Sequence, residues 1–410
     1  MDRRPLSLLW VKMGPLHPLD TGGKLRTYNM LKELKKRHHI TFLTLTSFQA
    51  PSGWEKKANE YCHEVIAIPW GGAPKFSWGF YAALARNLIF SNLPYAIEKY
   101  RSSLLEGKIK ELEGQGYDLL ICDFLTPAVN MNGTIQIPTV LFQHNVESQI
   151  WERHYEAQRR LLNRFYFWIQ WKRMMAFEKH ACTHLKGLVT VSPQDSEIFQ
   201  KKFGLTNILG DVPTGVDTDY FHPMEKSAKK QNNLVFIGSM DWLPNEDAVL
   251  YFTEETYAKI KVEIPDVTFT IVGRSPSKKV MALQEVDPTI QVTGTVEDIR
   301  PYVASATAMV VPLRIAGGTR IKIFEGMAMG IPIVSTRIGA EGLPVVHNSN
   351  ILLADTPEDF SRETIRLLKN ASKAKEILTS ASEMVKTHYS WDSVAKSFES
   401  YCFKLLGESR

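Results

Sequence analysis

Val311–Leu343, VPLRIAGGTRIKIFEGMAMGIPIVSTRIGAEGL, reads as strand, glycine-rich turn, helix, strand and a second glycine-rich turn. This is a phosphate-binding layout. Gly317 and Gly318 let backbone approach a ligand closely, and a helix beginning near Thr319 aims free N–H groups and its positive dipole end at the same spot. Arg320 and Lys322 add cations in the first turn, where they oppose the helix dipole unless an anion is bound. Glu325 follows about one and a half turns along the helix, within reach of a sugar hydroxyl if phosphates sit at its start. A solvated face with local ion pairs is the competing reading of these three charges.

Outward from this stretch the pattern is repeated. Apolar, β-rich runs at Leu6–Val11, Ile40–Leu45, Glu64–Pro69, Tyr117–Phe124, Thr139–Asn145 and Gly187–Ser192 alternate with segments of helical period. Leu25, Tyr28, Leu31 and Leu34 predict the apolar face of a helix starting near Gly23. Ser192, Pro193 and Asp195 predict a capped helix after the sixth run. A polar stretch from His222 to Asn233 has no apolar period. Beyond it the alternation resumes, with strands expected at Leu234–Gly238, Thr268–Val272, Ile290–Val292, Ala308–Leu313, Ile331–Ser335 and Ile351–Ala354. Helices are expected at Asn245–Ile260, Asp298–Ser305 and Arg320–Met329.

Such alternation means parallel sheets, and 410 residues are too many for one ordinary core. The expected fold is α/β: two Rossmann-like, doubly wound domains facing across a cleft, with ligands at the carboxyl ends of the strands. The expected division is 1–221, an N-terminal Rossmann-like domain; 222–388, a second such domain; and 389–410, a helix crossing back. Val394, Phe398, Tyr401 and Leu405 form the stripe that this last helix would bury.

Composition narrows the class. Apolar residues at 44% and charged residues at 23% suit a globular enzyme, and no apolar run approaches the roughly 18 residues of a membrane span. Lys12 interrupts the apolar start, which reads as a buried strand and not a leader. Cys62, Cys122, Cys182 and Cys402 are scattered without metal or redox spacing, which suits a cytoplasmic protein. A net charge of +5 favours anionic ligands or an anionic membrane surface and gives no reason to expect nucleic acid.

The remaining candidates are more local. Gly22 and Gly23 follow a strand and precede a helix, where backbone N–H groups can meet a ligand. His144 ends the run FQHN, where ligand-facing loops emerge, so it is a candidate ligand contact. Asp217-Thr218-Asp219 matches a metal-binding tripeptide, but it lies at the edge of the polar stretch, and a helix dipole with Arg and Lys can hold an anionic ligand without metal. Arg159–Met175, RRLLNRFYFWIQWKRMM, is basic and aromatic. It reads either as a long helix sending aromatics into the core or as a peripheral contact with a membrane surface.

The EGMAMGIPIVST core, the Gly-Gly turn, PTGVDTDYFHP, LVFIGSMDWLPNEDAV, TIVGRSP and VTGTVEDIRPYVASATAMVVPLR together resemble the retaining glycosyltransferases of family 4, of two-Rossmann GT-B architecture. The resemblance spans nearly the whole chain. It implies Glu325 for the nucleotide ribose, Gly318–Thr319–Arg320 for the donor phosphates, and the Arg274 and Thr295–Val296 regions for the base. It adds Gly238 to the donor loop and places His144 near the donor sugar and leaving phosphate. No cofactor is implied; the partners are a nucleoside-diphosphate sugar and an acceptor saccharide or lipid-linked saccharide.

Two positions depart from the family. Its paired-glutamate motif has another Glu where this chain has Gly317, and its Arg and Lys after the first strand of the second domain are missing from GSMDWLPNEDA. Arg320 and Lys322, with Arg314, are expected to supply that charge. The expected activity is glycosyl transfer with retention, in polysaccharide or glycolipid synthesis. A non-catalytic sugar-nucleotide-binding subunit and a sugar-nucleotide epimerase are the alternatives.

Overall fold

The computed structural model describes residues 4–47, 50–74, 76–131, 135–224, 232–315 and 320–408. The chain divides into two compact units. Unit 1 comprises Met1–Pro213 with Val394–Arg410, and unit 2 comprises Thr214–Ser393.

Unit 1 is built on seven strands: β1 Ser7–Met13, β2 His39–Thr46, β3 Glu64–Pro69, β4 Leu119–Asp123, β5 Thr139–Phe142, β6 Gly187–Thr190 and β7 Ile208–Asp211. Their order is β3-β2-β1-β4-β5-β6-β7, and every pairing is parallel. The side-chain period of two sorts β1 between layers. Leu9 and Val11 join a core with Leu43, Leu120, Leu141 and Phe177. Trp10 faces the other layer, where the ring of Phe398 lies 5.7 Å from it and 5.1 Å from Phe142. Phe398 belongs to the helix Trp391–Leu405, whose Glu399 also accepts from Arg37 at 2.8 Å.

The helix Gly22–Leu34 turns differently from the leucine spacing. Leu25 is exposed, and the buried face carries Arg26, Thr27, Met30, Leu31 and Leu34. The reason is polar: the Thr27 hydroxyl donates to Asp123 at 2.6 Å, which fixes the helix rotation. Ser192 caps the helix Pro193–Phe203 by accepting from the Asp195 N–H at 3.1 Å.

Unit 2 has six strands: β8 Asn233–Ile237, β9 Thr268–Val272, β10 Ile290–Val292, β11 Ala308–Val311, β12 Ile333–Ser335 and β13 Leu352–Leu353. Their order is β10-β9-β8-β11-β12-β13, again all parallel. In both sheets the chain first builds outward from the initial strand and then returns to its other side. The switch points, β1/β4 and β8/β11, are therefore where loops part at the carboxyl edge and leave room for a ligand.

Candidate functional site

The unit 2 switch point gathers three loops. After β8, Gly238 leads to the helix Leu243–Tyr251; after β11, Arg320 immediately precedes the helix Ile321–Ala328. Lys322 joins the two helix starts by donating to Asn245 Oδ1 at 2.8 Å, while Asn245 Nδ2 donates to the Ser239 carbonyl at 2.8 Å. The third loop, after β9, brings Arg274, whose Nε donates to Ser239 Oγ at 2.7 Å. Space is tight. A Cβ on Gly238 would fall 2.6 Å from the Asn245 amide, and one on Gly273 would fall 1.7 Å from the Gly238 carbonyl oxygen. Gly238→Ala should therefore cost about 1–3 kcal/mol in urea unfolding of the full chain, as overpacking does; an unchanged midpoint would mean Asn245 yields freely.

Glu325 and Lys322 are half-buried on the same helix. Burial pushes the Glu325 carboxyl up to about 7 despite the attraction of Lys322. Burial likewise brings the Lys322 ammonium down to about 8, against the pull of Glu325. Among the described residues, none donates a hydrogen bond to Glu325 or forms an ion pair with it. Such a carboxylate has unused acceptor capacity. Arg320 Nη2 lies 3.1 Å from Glu341 Oε2, whose side chain is exposed, so that contact can be exchanged for an anion.

Other expected residues lie elsewhere on this edge. Thr295 is exposed beyond β10, and Val296 packs partly into the core. Arg314 pairs with Asp247 and lies over the Tyr251 ring at 4.1 Å, so it is engaged apart from the Lys322 cluster. Gly317, Gly318 and Thr319 lie outside the described residues. Asp217, from the Asp-x-Asp tripeptide, accepts from the Asp219 and Tyr220 N–H groups at 3.1 and 3.0 Å and closes a local turn.

The unit 1 switch point holds a buried charge cluster. Pairing of Val11 with Cys122 brings the next residues, Lys12 and Asp123, together, with Lys12 Nζ 3.1 Å from Asp123 Oδ2. That oxygen also accepts from Trp10 Nε1 at 2.9 Å and Thr27 Oγ1 at 2.6 Å. The other oxygen, Oδ1, lies 2.8 Å from His144 Nε2. Burial opposes the Asp123 charge, but Lys12, His144 and Thr27 outweigh it and hold the carboxyl well below its usual range. Burial also lowers His144, against the pull of Asp123, so the imidazole is neutral at pH 7.

With Nε2 carrying the proton towards Asp123, Nδ1 is left as an acceptor. The His144 ring stacks on Phe124 at 3.8 Å. Phe124 in turn crowds Gly23, where a Cβ would fall 2.8 Å from the ring; Gly22 is exposed and uncrowded. Glu178 fastens the loop by accepting from Gln143 Nε2 and the Glu147 and Ser148 N–H groups at 2.7 to 3.0 Å.

Sequence reasoning missed Lys12, Asp123, Asn245 and Glu178. The available signal was charge at the ends of apolar strands, Lys12 in LLWVKM and Asp123 in LLICD.

Two parallel doubly wound units, each with a polar cluster at its switch point, make this a protein of the GT-B class. Two family models match: Glycosyltransferase Family 4 over residues 21–220 and Glycosyl transferases group 1 over residues 231–370. The chain belongs to the family-4-type glycosyltransferases.

Among curated relatives, an uncharacterized 44.6 kDa protein in the cps region of Klebsiella pneumoniae is 21% identical, over 93% of this chain and 96% of its own. The MMP alpha-(1->4)-mannosyltransferase of Mycolicibacterium hassiacum is 25% identical over 55% of this chain and 56% of its own. The fold matches a solved glycosyltransferase from Rickettsia africae with a TM-score of 0.65 at 14% identity, covering 99% of this chain and 100% of that one. It also matches Anabaena Alr3699/HepE in complex with UDP and glucose, with a TM-score of 0.60 at 12% identity, covering 98% and 100%. Among the described residues, no helix is long and apolar enough to cross a membrane.

Proposed function

We propose that this glycosyltransferase moves a sugar from a nucleoside-diphosphate sugar to an acceptor hydroxyl with retention of anomeric configuration, in polysaccharide or glycolipid synthesis. Unit 2 is the donor-binding unit and unit 1 the acceptor-side unit. Lys322, Arg320 and backbone N–H groups at the helix start stabilise the departing diphosphate, Glu325 takes the ribose hydroxyls, and Arg274 with Thr295 and Val296 borders the base.

The observation that carries this reading is Glu325, a half-buried carboxylate raised to about 7 with no hydrogen-bond donor among the described residues, one turn beyond a lysine held at a helix start. A diol is the complement of such a group. The related fold that binds UDP and UDP-glucose in Anabaena Alr3699/HepE supports a nucleotide sugar as partner. Titration calorimetry with uridine, guanosine and adenosine diphosphates tests it. One of the three should bind, and heats at the dilution baseline for all three would overturn the reading.

His144 is proposed to accept a hydrogen bond from the sugar as it is transferred. His144→Ala should lower turnover about tenfold, the worth of one hydrogen bond made in the transition state, while donor affinity changes little. A raised Michaelis constant at unchanged turnover would reduce His144 to a ground-state contact.

A further inference from the structure

The helix Trp78–Phe90, WGFYAALARNLIF, is turned inside out: the only buried residue among its thirteen is Asn87, a polar one. Trp78, Ile89 and Phe90 are 92%, 70% and 81% exposed. The first turns of the helix Leu161–His184 behave alike, with Leu161 and Leu162 more than four-fifths exposed and Phe165 more than half. The two helices are clamped together. Gln170 Nε2 donates to Asn87 Oδ1 at 3.1 Å, and the two terminal nitrogens of Arg173 donate to the Asn87 and Leu88 carbonyls, each at 3.0 Å. Asn87 Oδ1 is thus spent on holding the neighbouring helix and Nδ2 on the Leu93 carbonyl and Glu98, while Trp78, Ile89 and Phe90 are left outside.

Charge follows the same two stretches. Residues 65–97 and 157–177 contain no Asp or Glu and seven Lys or Arg, a net +7 against +5 for the entire chain, so the remainder is slightly acidic. Exposed aromatic and aliphatic side chains on stretches with a surplus of arginines are the composition of a membrane-interface surface. A second copy of the chain would bring like charge against like charge. Nucleic acid would meet the cations but gain little from Leu161, Leu162 and Ile89, which have no π-face to stack on a base.

We propose that the helices Trp78–Phe90 and Leu161–His184 form a docking surface for an anionic phospholipid bilayer, with the apolar side chains entering the acyl boundary and Arg86, Arg159, Arg160 and Arg164 meeting lipid phosphates. The proposal goes beyond the donor site and does not depend on it. Co-sedimentation of the full chain with vesicles of phosphatidylcholine, with and without phosphatidylglycerol, tests it.

The wild type should partition to the anionic vesicles about tenfold or more above the neutral ones, and added salt should weaken it. Leu161→Ser with Leu162→Ser should remove the binding. Arg159→Gln with Arg160→Gln and Arg164→Gln, which leaves the apolar surface intact, should lower it about tenfold or more and flatten the salt dependence. The nucleoside-diphosphate titration should be unchanged in both variants. Equal sedimentation with both vesicle types, or variants that bind like the wild type, would overturn the proposal. So would concentration-dependent dimerisation in sedimentation velocity that is lost in the leucine variant.

Discussion

Asp123→Ala should lower the unfolding free energy by about 3–5 kcal/mol, the range for breaking a buried ion pair by removing one partner. The substitution leaves Lys12 as an uncompensated buried cation, strips Trp10 Nε1 of its acceptor and leaves Thr27 Oγ1 only the Gly23 carbonyl. It also releases His144 from the contact that fixes its tautomer. Burial already holds the Lys12 ammonium below its ordinary range, with Asp123 as its main support. A double-mutant cycle separates charge pairing from packing. Lys12→Met with Asp123→Leu should be less destabilised than the sum of its single variants, because an apolar pair leaves no stranded charge. Urea unfolding of the full chain within about 1 kcal/mol of wild type for Asp123→Ala would show that water or a neighbour compensates Lys12.

This cluster also marks what the sequence could convey and what it could not. Strand runs are local, so β3, β9 and β10 coincide with Glu64–Pro69, Thr268–Val272 and Ile290–Val292 as read from apolar spacing. The two-sheet α/β fold was legible for the same reason. β7, Ile208–Asp211, gave no such signal because it is short, half-buried and interrupted by Gly210. Lys12, Thr27, Asp123 and His144 lie on four different elements, and only the order and register of β1, β4 and β5 bring them together. Leu25 shows the same limit from the other side: its spacing promised burial, but the bond from Thr27 to Asp123 turns it outward.

The unit 2 cluster was half legible. Lys322 stood out because a cation in the first turn opposes the helix dipole, and Glu325 because it lies within reach of a sugar hydroxyl if phosphates sit at the helix start. Asn245 did not, since an Asn near a helix start reads first as a cap. Its position after β8, across the switch point from β11, makes it the residue that holds Lys322. The family's basic residues are missing from this β8 loop, and a lysine reaching across to it from the other helix gives the same edge a cation.

If that cation and Glu325 both engage the donor, sugar-nucleotide binding should be coupled to protons with opposite signs on either side of about pH 7.5, between the two shifted groups. A bound diphosphate favours charged Lys322, so its pKa, about 8 in the free protein, rises on binding and a proton is taken up at about pH 8.5. A ribose hydroxyl donating to Glu325 favours the carboxylate, so its pKa, about 7, falls on binding and a proton is released at about pH 6.5. The diester phosphates of a sugar nucleotide do not titrate in this window, so both signals belong to the protein. Affinity should therefore peak between the two values and weaken on each side. Lys322→Ala should remove the uptake and Glu325→Gln the release, each with a loss of about 1.5–3 kcal/mol in binding near the optimum, the range for hydrogen bonds to charged groups. Calorimetry in buffers of different ionisation enthalpy reads the proton count directly. A count that keeps one sign across the window, or that survives in both variants, would place the donor's phosphates and ribose on other residues.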